Sequence, residues 1–321
     1  MNSRKIPTTT PDAMTGTLSG HEADTDQASL ASTLSDGDVH DPASAQLEDI
    51  LMREKRLFET RPDRHEGRET GSRWIFADLE YAYDRERYER YRKAEEHAAE
   101  AKIRWPFHRP VAASWMIMHH NPVTDVLSIE QASTIAIDTI NERTLVQTVF
   151  DVLNAHKTAM LVTWGGENKD VAVVCQCASK YELLLPTHLL EPSPRAGARL
   201  DLCYHVSGGA PNVHLPEYAW ASDIPAKPSP SKDIGPLVQA GKWHQVREQA
   251  LADVLTTAVI GLRHFKSHGV IAGNLSTAYL AMADAAAAAL PSSQFVKTTF
   301  APWARHQATL AKLQGVIYRA A

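Results

Sequence analysis

Cysteine is scarce. The 321 residues contain three, Cys175, Cys177 and Cys203, and no Cys-x-x-Cys pair. That number and spacing exclude a disulfide framework and a structural zinc site, and they point to a reducing, cytoplasmic setting. Long apolar runs are missing too. No stretch approaches bilayer-spanning length, and the amino end lacks the apolar core of a signal peptide, so no membrane association is expected. Between Ile6 and Met52 there is no Lys, Arg, Phe, Tyr or Trp, whereas Asp, Glu, Ser, Thr and Ala dominate. Such a composition buries too little apolar surface to offset the entropy of ordering, which predicts a disordered acidic tail over 1–45. A linker or short helix is expected over 46–71, where Leu47, Ile50, Leu51, Leu57 and Phe58 fall at loose helical spacing. The net charge of -5 rules out global attraction to nucleic acid, although a local basic lining can still act.

The rest is ordinary globular composition, 44% hydrophobic and 22% charged, enough for one large domain or two small ones. The run Trp74-Ile-Phe-Ala-Asp78-Leu-Glu80 reads as a buried strand with two carboxylates at its exit. Strand side chains alternate, so Asp78 and Glu80 leave from one face, within reach of a shared hard cation. A charged surface helix is expected over Glu86 to Lys102, then strands at Val111 to Met118 and around Ser133 to Ile137. An Asn-capped amphipathic helix follows over Asn141 to Ala155, a buried strand over Thr158 to Trp164, and a helix over Glu167 to Cys177. Arg199 to Val206 reads as a short strand, Ser207 to Gly235 as a long irregular connection, and Trp243 to His264 as a strong helix. From Asn274 onward Ala-rich helices run to the end, broken at Pro291. Strands alternating with helices after a short meander give an α/β class, a mixed sheet flanked by helices.

Three further acids stand out by context. Asp170 follows a buried strand and Gly165-Gly166 at the start of a helix, where α/β folds place ligands. Asp201 ends a short strand, and Asp253 sits in an apolar helix face beside Leu251, Val254, Leu255 and Val259. A buried carboxylate needs a partner, and a metal shared with Asp78, Glu80 and Asp170 would be one. The bland readings are helix-dipole compensation for Asp170 and a solvated helix carboxylate for Asp253. Four carboxylates converging would form a two-metal site for phosphodiester chemistry.

The order Phe76-Ala-Asp78-Leu-Glu80, Pro106-Phe-His108-Arg-Pro-Val111, Leu161-Val-Thr-Trp164-Gly-Gly-Glu-Asn-Lys-Asp170, Leu200-Asp201-Leu, Ala240-Gly241 and Ala252-Asp253-Val-Leu-Thr-Thr257 resembles the predicted exonucleases related to the proofreading domain of B-family DNA polymerases. These belong to the DEDD, ribonuclease H-like superfamily. The resemblance spans roughly 72–270, leaving 271–321 as a helical extension. It implies a ribonuclease H-like 3′-5′ exonuclease with two Mg2+ or Mn2+ ions held by Asp78, Glu80, Asp170 and Asp253, acting on single-stranded DNA or RNA 3′ ends. Asp201 would be a supporting residue.

The departures are specific. The family has a Tyr four residues before the third-motif aspartate, and related branches a His five before; here those positions hold Gln249 and Glu248. Gln249, one helical turn from Asp253, can hold a water by hydrogen bonds but has no useful pKa for general-base work. The runner-up is therefore a pseudo-exonuclease that binds or scaffolds without turnover, and a third reading is an unrelated α/β domain whose carboxylates never meet. Trp164 is either core or a stacking surface for a base, and Lys169 either a phosphate contact or a surface lysine. His108 reads as structural. His119 and His120 point to opposite faces of a strand and are not expected to share a metal.

Overall fold

The computed structural model describes residues 71–191 and 197–317, all within the second of the two units into which the chain divides, Pro62–Ala321. The expected tail and all but the last residue of the expected linker lie outside the described residues.

Five strands form one mixed sheet in the order β3-β2-β1-β4-β5. Strand β1, Ser72–Tyr83, is central, and its apolar run is explained by burial on both faces. Trp74 and Phe76 enter one core while Ile75, Ala77 and Leu79 enter the other. Strand β2, His108–Asn121, pairs antiparallel with β1, placing Asp78 opposite Ser114 and Glu80 opposite Ala112. Strand β3, Val126–Ala136, continues the meander; it starts earlier than expected because its first half alternates towards solvent and carries no apolar run. After the crossover, β4, Met160–Thr163, lies parallel to β1, and β5, Arg199–Asp201, parallel to β4.

Helix α1, Arg85–Glu95, is shorter than its charge pattern suggests; the chain turns at Glu96, where φ is +47°. Helix α2, Glu142–Ala155, starts where the Asn141 side chain accepts from Thr144 N, and it buries Leu145, Val146, Phe150 and Leu153 against the Ile75 face. Helix α3, Asp170–Tyr181, shares that face. The predicted strand beyond Arg199 stops at Asp201, whose carboxylate accepts from Cys203 N and opens the short helix α4, Leu202–Ser207; aspartate at such a position caps a helix. The connection expected to be irregular contains α5, Leu215–Ala221.

The opposite face is covered by α6, Trp243–Ser267, a helix of 25 residues buried along most of its length. Its approach is set by Gly261. A Cβ there would lie 2.5 Å from Cε1 of the buried Phe76 ring, so only glycine lets α6 rest this close to β1. Helices α7, Ser276–Ala289, and α8, Ala301–Ile317, flank the expected break at Pro291. Tyr279 and Met282 of α7 and Ala304 of α8 join the α6 core, so these helices share its interior. Among the described residues no helix is long and apolar enough to cross a membrane.

Candidate active site

Asp78 and Glu80 continue the Trp74–Phe76 face of β1 and therefore point at α6. Asp253 stands on the facing side of α6, and carboxylate oxygens of the three lie within 4.8 Å of one another. They line a cavity of about 320 Å³ whose wall also carries Asp170, Lys169 and Trp164. Asp170 stands outside the 4.8 Å group, so three of the four predicted ligands converge and the fourth lines the same cavity. Glu80, Asp170 and Asp253 are buried, and Asp78 is partly so.

Burial and mutual repulsion dominate the electrostatics. Burial raises Asp78 well above the usual carboxylate range, and the charges of Asp253, Glu80 and Asp170 raise it further. Burial lifts Glu80 to about 8 against the pull of Lys227. Asp170 rises to about 6 by burial, opposed by Lys169. Asp253 is also raised by burial, and Lys227 opposes the rise.

Lys227 is the site residue that sequence reasoning missed. Its ammonium lies 2.5 Å from Asp253 Oδ2 and 3.9 Å from Glu80 Oε1, with the side chain 5% exposed. Burial lowers its pKa, but the carboxylates of Asp253, Glu80 and Asp78 outweigh this and raise it. In the sequence it is a lone lysine between Pro225 and Pro228, a setting that normally means solvent. The tie is tertiary: Thr256, on α6 just past Asp253, donates its hydroxyl to the Pro225 carbonyl at 2.8 Å and fixes the loop over the cavity.

Even with Lys227 in place, Asp78 Oδ2, Glu80 Oε1 and Asp253 Oδ1 are buried without a hydrogen-bond partner among the described residues. Buried carboxylate oxygens left in this way, facing one cavity, form the hard-oxygen donor set that a divalent cation such as Mg2+ or Mn2+ takes. The residues fit such an ion.

Asp201 acts on the loop after β4. It accepts from Gly165 N at 2.7 Å, Glu167 N at 3.1 Å and Cys203 N at 3.1 Å, and Gly165 adopts the left-handed φ of +70° that the turn requires. This anchor sets where Lys169 and Asp170 emerge. Lys169 lies over the Tyr81 ring at 4.3 Å and 3.8 Å from Asp170 Oδ1. Trp164 is half packed: its Nε1 donates to Val213 O at 3.3 Å, its ring meets Tyr218, and one side faces the cavity.

The two positions that depart from the family pattern face elsewhere. Glu248 accepts from Ser293 Oγ at 2.7 Å and Phe295 N at 2.9 Å, and Gln249 donates to Ser229 Oγ; neither lines the cavity. His108 packs against Tyr81 and Tyr83 at the entrance of β2, as a structural residue does. His120 pairs with Asp125 at 2.7 Å at the far end of β2 from the carboxylates, opposite Ser72.

A mixed sheet in this strand order, with carboxylates brought to one cavity from its central strand and from helices on both faces, defines an α/β domain of the ribonuclease H-like kind. One family matches residues 101–306, described as the predicted 3′-5′ exonucleases related to the exonuclease domain of PolB, and the chain belongs to that family. The match includes Asp170, Lys227 and Asp253 but starts after Asp78 and Glu80, whose assignment rests on geometry. It also runs through α7 into α8, further than the resemblance seen in the motifs. Among solved structures, the family B DNA polymerase from the hyperthermophilic archaeon Pyrobaculum calidifontis is similar at 12% identity, over 74% of this chain and 29% of that one, with a TM-score of 0.43. A product-bound exonuclease I is similar at 11% identity, over 61% of this chain and 44% of that one, with a TM-score of 0.36. The chain thus spans less than half the length of either. No curated protein gives a significant match.

Proposed function

We propose that the domain is a metal-dependent 3′-5′ exonuclease that removes nucleotides from single-stranded or frayed nucleic acid ends. The observation that carries the reading is the meeting of Asp78, Glu80 and Asp253 in one cavity, each with a buried and unpartnered oxygen. Two Mg2+ or Mn2+ ions held by these three and Asp170 would supply an activated water and stabilise the leaving oxygen. The chain's own groups do the rest. Lys227 holds the Asp253 carboxylate in place, and Lys169, beside Asp170, is placed to meet a phosphate. Trp164 offers a ring face at the wall against which an unpaired base can stack. A cavity of about 320 Å³ gives room for a terminal nucleotide beside the carboxylates. The free thiols suit the reducing cytoplasm.

One observation favours a second reading, a nucleic-acid-binding or scaffolding domain without turnover. Glu248 and Gln249, which replace the family's water-orienting groups, are both engaged away from the cavity. Gln249 holds Ser229 through its amide nitrogen, and its side chain does not line the cavity. The deciding experiment follows 3′-labelled and 5′-labelled single-stranded oligonucleotides in Mg2+ or Mn2+. Metal-dependent shortening from the 3′ end supports the exonuclease, whereas binding without cleavage in either metal selects the second reading.

A further inference from the structure

We propose that the cleft between α1, α2 and α3 is a second phosphate-binding site, gripping the nucleic-acid backbone a few nucleotides from the end held in the carboxylate cavity. The proposal rests on the exonuclease reading and adds to it where the strand runs.

The cleft has a volume of about 690 Å³, and Arg or Lys residues in its lining outnumber Asp or Glu by five to three. Its centre is built around Glu142, the first residue of α2, whose side chain is 9% exposed. That one carboxylate accepts from Arg109 Nε at 3.0 Å and Lys180 Nζ at 2.8 Å, so a single buried anion orients two cations towards the opening. Arg143, the next residue, is exposed on the same cleft and has no ion pair or hydrogen bond among the described residues. At the rim, Arg87 and Arg90 are balanced by Asp84 and Glu86, which leaves the positive excess at the centre. A guanidinium fork beside an ammonium, incompletely neutralised, matches the oxygens of a phosphodiester.

Its position suits a strand leaving the cavity. Helix α3 starts at Asp170 on the cavity wall and reaches Lys180 in the cleft, roughly 15 Å along its axis. Between the two, Lys169, the partly buried Tyr81, His108 and the exposed Tyr83 follow one another in contact, so one packed chain of side chains joins the cavity wall to the cleft. This local charge lets a chain of net charge -5 hold a polyanion.

The test compares Arg143→Glu and Lys180→Gln with the parent on a dinucleotide and on a long single strand. Arg143→Glu places an acid in the first turn of α2, which the helix dipole favours, and circular dichroism checks that both variants fold. The proposal expects KM for the long strand to rise about tenfold, with kcat and the dinucleotide KM unchanged. It also expects the salt dependence of strand binding, read by fluorescence anisotropy, to weaken by about one phosphate contact. An unchanged KM and salt slope, or an equal rise for both substrates, overturns it. If the parent cuts neither substrate, the exonuclease reading fails, and anisotropy still decides the cleft: variants that bind the strand as tightly as the parent overturn the groove.

Discussion

Asp78 on β1 and Asp253 on α6, far apart in sequence, present oxygens within 4.8 Å of each other across the sheet-helix interface. Two buried carboxylates at that separation repel unless something positive lies between them. If the proposed exonuclease function holds, Asp78→Ala and Asp253→Ala should each lower 3′-end cleavage by ~10³-fold or more, with the double variant little worse than either, because residues that act as a unit are not additive. In a chelator at alkaline pH, Asp78→Asn should melt at a higher temperature than the parent, since one repelling charge is gone. An equal or lower melting temperature would argue against the repulsion.

Stability of the metal-free protein should depend on pH through Glu80. Its folded pKa of about 8 lies above the ordinary 4.5, so the folded state binds the extra proton. Its contribution is full below about 4.5 and is lost as pH rises towards 8. Melting temperature in chelator should therefore fall across that window. Mg2+ should reverse the fall, most strongly at the alkaline end, with protons released on binding. Calorimetric titration in buffers of different ionisation enthalpy reads the proton count, and a count of zero at neutral pH refutes this account.

Removing the internal ammonium is expected to be costly. Lys227→Met leaves Asp253 and Glu80 buried without their cation and should destabilise the metal-free protein by about 3 kcal/mol. Saturating Mg2+ should restore part of the loss by supplying charge at the same place. Thermal melts of both proteins with and without Mg2+ measure this; an equal Mg2+ shift in the two proteins would mean that Lys227 and the ion do not share the site's charge.

At Gly261 the expected effect is geometric. Gly261→Ala forces a methyl towards the Phe76 ring and should cost about 1–3 kcal/mol. Lifting α6 also moves Asp253 from Asp78, so metal affinity should fall although no ligand is changed. Isothermal titration with Mn2+ checks the second part, and unaltered affinity in a destabilised variant would show that the cavity tolerates the shift.

Local pattern made much of this architecture legible. The apolar run from Trp74, the Asn141 cap and the long helix around Asp253 each combine periodicity with a boundary signal, and each appears in the fold. The strand β3 begins in a half-solvated stretch where alternation is weak. The strand after Arg199 was cut short by Asp201, whose capping bond competes with extension. In the site, Asp78 and Glu80 followed from strand alternation, and Asp170 and Asp253 became interpretable through motif order. Lys227 had no local signature, because its burial is set by a hydroxyl from another element.

The lysine already standing among the carboxylates bears on the order of events when the protein matures. A centre with its own ammonium does not need an ion to become compact, so under the proposed metal-dependent function folding should finish first and metal loading follow as a reversible second step. Chelation should then silence the site and leave the tertiary structure intact, and the ions should behave as exchangeable guests.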